Sequence, residues 1–123
     1  MIYTSTMNYR GFDRHDITVK SASPIDRCFA PTWDIVMGIK NNTITWDEYV
    51  AEYYRILNDR MKYNLRHMRR SVNEICNRAY IENVTLVCFC KDPAKCHRSL
   101  LAHWLVTKCT DYSLTYAGER ILQ

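Results

Sequence analysis

The sequence predicts a small, Rossmann-like α/β domain in which a mainly parallel sheet is flanked by helices. Residues 84–89 form a nearly continuous apolar run, which is typical of a strand buried on both faces of a parallel sheet. Segments with helical periodicity precede and follow this run, and the resulting order of strand, helices, strand, helix and strand is that of a parallel sheet with helical crossovers. A chain of 123 residues is long enough for one hydrophobic core, so we expect residues 1–123 to form a single α/β domain.

The first third of the chain predicts two short strands and one helix. Residues 1–6 predict a strand that ends in hydroxyl side chains. Residues 16–20 predict a second strand, because Ile17 and Val19 alternate with polar neighbours. A short helix is predicted over residues 32–40, after an irregular stretch that contains two prolines.

Two longer helices are predicted in the middle of the chain. Thr45 and Glu48 have the spacing of a capping box, which marks the start of the first helix. Each helix has one apolar face, because its apolar residues recur every three or four positions. These residues are Trp46, Tyr49, Val50, Tyr53 and Leu57 in the first helix, and Leu65, Met68, Val72, Ile75, Cys76 and Ala79 in the second.

The last third of the chain predicts a strand, a helix and a closing strand. The run at 84–89 should be the central strand of the sheet, since no polar alternation interrupts it. Residues 96–108 predict an amphipathic helix, and residues 112–116 predict the closing strand.

Composition excludes several classes of protein. Three glycines and three prolines are too few for a disordered chain. We expect a cytoplasmic location and no contact with membranes, since no signal pattern and no apolar run of membrane-spanning length occurs. In a reducing compartment, clustered cysteines are more often ligands or nucleophiles than disulfides. Cys76 and Cys109 stand apart among apolar residues and are expected to fill the core.

The net charge of +4 is modest, but the basic residues are unevenly distributed. Seven of the 17 Lys and Arg residues lie between positions 55 and 78, and Lys62, Arg66 and Arg69 recur at helical spacing. Such a stripe usually forms a solvated helix face. The alternative is a surface around residues 60–70 that binds nucleic-acid phosphates or a protein partner. We do not favour nucleic acid, because few aromatic residues accompany the charges.

Reactive residue types crowd the junction between the strand at 84–89 and the helix that follows it. Cys88, Cys90, Cys96, His97 and Arg98 fall within eleven positions of one another. In α/β sheets, ligands bind beyond the carboxyl ends of strands, where helix N-termini present backbone N–H groups. We therefore expect a site for a small anionic ligand here, with Arg98 and Cys90 binding the ligand and with Cys88, Cys96 and His97 as candidate catalytic residues.

Other candidate ligand-binding residues come from the first half of the chain. Thr4 and Ser5 would offer hydroxyl groups if the first strand ends beside the Cys88 strand. Trp33, Tyr49 and Tyr53 have apolar bodies and polar tips, which suit a pocket around a planar ligand such as a nucleobase. Packing in the core is the alternative role for the two tyrosines.

Several blocks of the chain occur in the order that is characteristic of one family. They are IYTS at 2–5, APTWD at 30–34, a tyrosine-bearing helix at 48–54, and a late signature at 86–90, 96–98 and 102–105. With these blocks the chain resembles the family called domain of unknown function 488. Cys90 stands where members often have glutamate. The resemblance implies the fold and the location of the site, and it comes with no settled reaction.

Three kinds of chemistry are open at the junction. The first is binding of a nucleotide-like anion by Arg98 and the helix N-terminus. The second is thiolate chemistry, because a helix N-terminus and nearby cations lower the pKa of a cysteine. The third is a zinc module formed by Cys88, Cys90, Cys96 and His97. We expect free thiols and predict no cofactor, since adjacent Cys96 and His97 on a helix would diverge by about 100°; whether the protein is an enzyme stays open.

Overall fold

The computed structural model describes residues 1–90, 92 and 95–120 and shows an all-parallel sheet of four strands in this part of the chain. The strand order is β2-β3-β1-β4, and neighbouring strands pair in parallel. The predicted α/β class with a parallel sheet is confirmed. The strands are β1 (Ile2–Thr6), β2 (Arg14–Asp16), β3 (Val84–Cys88) and β4 (Tyr116–Glu119).

Helices lie between β2 and β3 and between β3 and β4, and they begin and end close to the predicted positions. The capping box at the start of the second helix is present, with the Glu48 backbone N–H donating to the Thr45 hydroxyl and the Thr45 N–H donating to the Glu48 carboxylate. Among the described residues, no helix combines the length and the apolar character that a membrane span needs. The helices are α1 (Trp33–Lys40), α2 (Trp46–Tyr63), α3 (Met68–Ile81) and α4 (His97–Lys108).

Strand β3 lies inside the sheet and is buried along its whole length, as predicted. It ends at Cys88, and the prediction is wrong for Phe89, which is 64% exposed. Because side chains alternate along a strand, Val84, Leu86 and Cys88 share one face, where they belong to the core formed with the helices. Thr85 lies on the other face, where its hydroxyl donates to Asp13 over 2.6 Å. The alternation places the Cys88 sulfur at the carboxyl end of the sheet, on the side of α4.

The two remaining strands are displaced from their predicted positions. The second strand ends at Asp16 instead of covering 16–20, because the Asp16 carboxylate accepts hydrogen bonds from the Thr18 N–H and hydroxyl and turns the chain. The closing strand covers Tyr116–Glu119 instead of 112–116. A 3₁₀ turn at Thr110–Tyr112 and a left-handed Ser113, with φ of 51°, delay its start.

The expectation that Cys76 and Cys109 only fill the core is wrong. Both residues are buried, but their sulfur atoms form a disulfide, and the Cα atoms lie 5.4 Å apart. The bond joins α3 to the end of α4 across 33 positions of the sequence. A bridge over a loop of this length stabilises a fold by about 2–4 kcal/mol.

Candidate functional site

Four side chains with metal-binding or nucleophilic atoms meet at the carboxyl end of β3. They are Cys88 at the end of the strand, Cys90 two positions later, and Cys96 and His97 at the start of α4. The three sulfur atoms and one nitrogen of His97 all lie within 4.8 Å of one another. Cys88, Cys96 and His97 are buried, and Cys90 is half-buried. We call these four residues the Cys–His cluster.

The backbone at Cys96 lets two adjacent residues join the same cluster. Cys96 is the N-cap of α4 and has extended dihedral angles, with φ of −141° and ψ of 145°. The divergence of about 100° applies only when both residues are helical. Here Cys96 Sγ lies 4.0 Å from His97 Nδ1, so the expectation that the two side chains point apart is wrong.

A backbone carbonyl fixes the orientation and the tautomer of His97. Its Nε2 lies 2.9 Å from the Ile17 carbonyl oxygen, and because a carbonyl only accepts, Nε2 carries the proton. Nδ1 therefore keeps its lone pair and faces Cys96. Burial lowers the pKa of His97 to about 4, so the ring is neutral at pH 7.

Arg98 is fully buried and contacts the cluster from within the protein. Its Nε and Nη2 donate to the two carboxylate oxygens of Glu119, over 2.8 and 3.2 Å. Its Nη1 donates to the Cys90 carbonyl over 2.6 Å and to the sulfur atoms of Cys88 and Cys96 over 3.2 and 3.4 Å. The structure thus gives every donor nitrogen of this side chain a partner within the protein.

A cavity of about 530 Å³ opens beside the cluster. Cys90, Cys96 and His97 line it, whereas Cys88 and Arg98 do not. Burial raises the pKa of the Cys90 thiol, and the positive charges of Arg98 and Lys40 oppose this shift.

The remaining walls of the cavity are aromatic and basic. Trp33 and Phe89, both more than half exposed, lie at its surface, and the rings of Trp46 and Tyr49 stack with centroids 5.1 Å apart. Three lysines line it, and no Asp or Glu does among the described residues. The lysines are Lys20, Lys40 and Lys95.

Of the other predicted ligand-binding residues, Trp33 and Tyr49 line the cavity and three do not. Tyr53 is fully buried, donates its hydroxyl to the Phe29 carbonyl over 2.7 Å, and has its ring nearly perpendicular to that of His97. Thr4 pairs with the Tyr116 hydroxyl over 2.6 Å, and the Ser5 hydroxyl donates to the Arg120 carbonyl over 3.1 Å. These contacts hold β1 against β4 and leave both hydroxyl groups away from the cavity.

Comparison with family models identifies the family of the chain. A model described as the active DUF488-N3 subclade matches residues 1–109. The chain belongs to the DUF488 family. The matched residues include the Cys–His cluster and every described residue that lines the cavity. No curated protein and no solved structure matches the chain.

Sequence reasoning missed the lysines of this DUF488 protein. Lys20 follows β2, Lys40 ends α1, and Lys95 precedes α4, so they come from three separate segments. Each stands alone in the sequence, and a lysine at the end of a helix is common for reasons of helix stability. The three lysines come together only in the tertiary structure, and no local sequence pattern predicts this.

The predicted basic stripe does not form on a single helix. The chain turns at residues 64–67, where Asn64, Arg66 and His67 adopt left-handed conformations, so that Lys62 and Arg69 belong to different helices. Arg69 donates to the carbonyl groups of Met61 and Lys62 in the last turn of α2, where carbonyl groups lack partners within the helix. Arg60 is buried and donates to the carbonyl groups of Cys28 and Ala30.

Proposed function

We propose that this DUF488 protein binds a planar, anionic small molecule of the nucleotide type in the cavity and acts on it at the Cys–His cluster. The observation that carries the proposal is the charge of the cavity. Lys20, Lys40 and Lys95 line it without a described carboxylate to neutralise them. Unpaired lysines attract phosphate and carboxylate groups.

The aromatic walls and the size of the cavity support the planar part of the ligand. Trp33 and Trp46 offer ring faces on which a base can stack, and such stacking contributes about 1–3 kcal/mol per base. A volume of about 530 Å³ falls within the range of roughly 300–1,000 Å³ that is typical of small-molecule sites.

The groups that face the ligand are the sulfur atoms of Cys90 and Cys96 and the neutral ring of His97. A cysteine beside a base that is itself oriented by a third group has the arrangement of a cysteine nucleophile. On this proposal Cys88 and Arg98 hold the cluster in place and do not touch the ligand. The description of the matching family model as active agrees with chemistry at this site. The cytoplasmic location expected from the sequence stays a prediction.

Removing a cavity lysine should weaken binding of nucleotides. We expect Lys40→Ala and Lys20→Ala each to raise the Kd of a nucleoside 5′-monophosphate roughly tenfold, since each removes a charge-assisted hydrogen bond. Isothermal titration calorimetry with the four common nucleoside monophosphates measures this. The matched control is Lys62→Ala, because Lys62 is exposed on α2 and does not line the cavity.

Two comparisons complete this test. The unphosphorylated nucleoside and inorganic phosphate should each bind more weakly than the monophosphate, because each makes only half of the proposed contacts. Absence of monophosphate binding at millimolar concentration, or an equal loss in Lys40→Ala and Lys62→Ala, would show that the cavity is not the proposed site.

A further inference from the structure

We propose that the Cys–His cluster binds one Zn²⁺ ion, with Cys88, Cys90, Cys96 and His97 as the four ligands. The cluster offers three sulfur atoms and one imidazole nitrogen, all within 4.8 Å of one another. With Zn–S distances of about 2.3 Å and Zn–N distances of about 2.0–2.1 Å, neighbouring ligand atoms of a tetrahedral zinc site lie about 3.6–3.8 Å apart. Cys96 Sγ and His97 Nδ1, 4.0 Å apart, are already close to this value.

The sulfur atoms of Cys88 and Cys96 are in direct contact, but the backbone argues against a disulfide as the reason why they meet. The Cα atoms of Cys88 and Cys96 lie 7.9 Å apart, beyond the roughly 4.4–6.8 Å that a disulfide spans. The Cys76–Cys109 disulfide of the same protein has a Cα separation of 5.4 Å. The Cys88 and Cys96 side chains therefore approach each other from a backbone spacing that suits a shared ion better than a bond.

The groups around the cluster resemble those that orient the ligands of a metal site. A histidine that binds a metal usually donates its other N–H to a carbonyl or carboxylate, which fixes the free nitrogen toward the ion. His97 does so, with Nε2 on the Ile17 carbonyl and Nδ1 on the side of the sulfur atoms. Arg98 donates to the sulfur atoms of Cys88 and Cys96, and hydrogen bonds of this kind to the ligand atoms are typical of metal sites.

The donor set selects zinc among the common metals. Three thiolates and one imidazole are soft ligands and suit a tetrahedral ion without redox chemistry, whereas magnesium and calcium require oxygen ligands. The sequence favoured free thiols because two adjacent helical residues diverge, and the extended backbone of Cys96 removes that objection. The inference does not depend on whether the cavity binds a nucleotide. Zinc on all four residues makes Cys90 and Cys96 metal ligands, so it replaces the cysteine nucleophile of the proposed function.

Metal analysis of the purified protein tests the inference. We expect about one equivalent of zinc per chain by inductively coupled plasma mass spectrometry, in protein prepared without an affinity tag and without a chelator. Cobalt added to the metal-free protein should give the intense visible bands of tetrahedral Co²⁺ with sulfur-to-cobalt charge transfer. Iodoacetamide should modify the cluster cysteines only after a chelator has removed the zinc.

Variants at different cysteines make the test specific. Cys90 is the least buried ligand, so Cys90→Ser should fold while its zinc affinity falls at least tenfold. The control is the double variant Cys76→Ala/Cys109→Ala, which removes two cysteines outside the cluster and should keep the full zinc content.

Three results would overturn the zinc site. They are no stoichiometric zinc after reconstitution, a Cys90→Ser variant with unchanged affinity, and alkylation of the cluster that a chelator does not alter. Because none of these measurements uses a nucleotide, failure of the zinc inference and failure of the proposed ligand are separate outcomes.

Discussion

Replacing Arg98 with methionine is expected to lower the free energy of unfolding by about 3–5 kcal/mol. The guanidinium group is fully buried, and its five short contacts include both carboxylate oxygens of Glu119 and two sulfur atoms of the cluster. Methionine fills part of the space but leaves the Cys90 carbonyl and the Glu119 carboxylate without their donor. Urea unfolding with a chelator present measures the loss without a contribution from metal binding.

An exposed arginine provides the control for Arg98. Arg78 pairs with Glu74 over 3.2 Å on the surface of α3, and both side chains are more than 40% exposed. Such a pair contributes about 0–1 kcal/mol, so Arg78→Met should change stability little. Glu119→Gln in the Arg98→Met background should recover part of the loss, because it removes the unpaired carboxylate. A loss below 1 kcal/mol in Arg98→Met would contradict the role assigned to this side chain.

Truncating Leu86 to alanine is expected to lower the free energy of unfolding by about 2–5 kcal/mol. Leu86 is fully buried in the middle of β3, between the two neighbouring strands and beneath the helices. The substitution removes apolar contacts and leaves a cavity that the surrounding sheet and helices fill only in part. Thermal and urea unfolding measure the effect.

The same substitution at an exposed leucine shows whether the loss of stability comes from burial or from the change of residue type. Leu65 is 49% exposed in the turn between α2 and α3, so Leu65→Ala should cost less than about 1 kcal/mol. Similar losses in the two variants would contradict the central position of β3 in the core.

Most of the fold could be predicted because its signals are local. The apolar run at 84–89, the capping box at Thr45 and the periodic apolar faces of two helices each depend on residues close together in the sequence. The two displaced strands show the limit of such signals. At Asp16 a side chain ended a strand by accepting a hydrogen bond from the backbone N–H of Thr18, and at Ser113 a left-handed residue delayed the start of another strand.

The position of the candidate site could be predicted, but the roles of its residues could not. The carboxyl end of β3 and the start of α4 identified the cluster from the sequence. The partner that engages Arg98 is Glu119, 21 positions later in the sequence, and the lysines of the cavity come from three segments. Both facts depend on tertiary contacts. The sequence predicted that Arg98 binds the ligand, whereas in the structure Arg98 contacts the cluster from inside the protein and lysines that the sequence did not single out line the cavity.

Nuclear magnetic resonance of the three tryptophan side chains tests the proposed ligand site most directly. Trp33 and Trp46 line the cavity, whereas Trp104 is buried elsewhere with its indole N–H donating to Asn58 over 2.9 Å. In protein labelled with ¹⁵N-tryptophan, a nucleoside monophosphate should shift the indole resonances of Trp33 and Trp46 and leave that of Trp104 in place. Three unchanged indole resonances at saturating nucleotide, or a shift of Trp104 alone, would contradict nucleotide binding in the cavity.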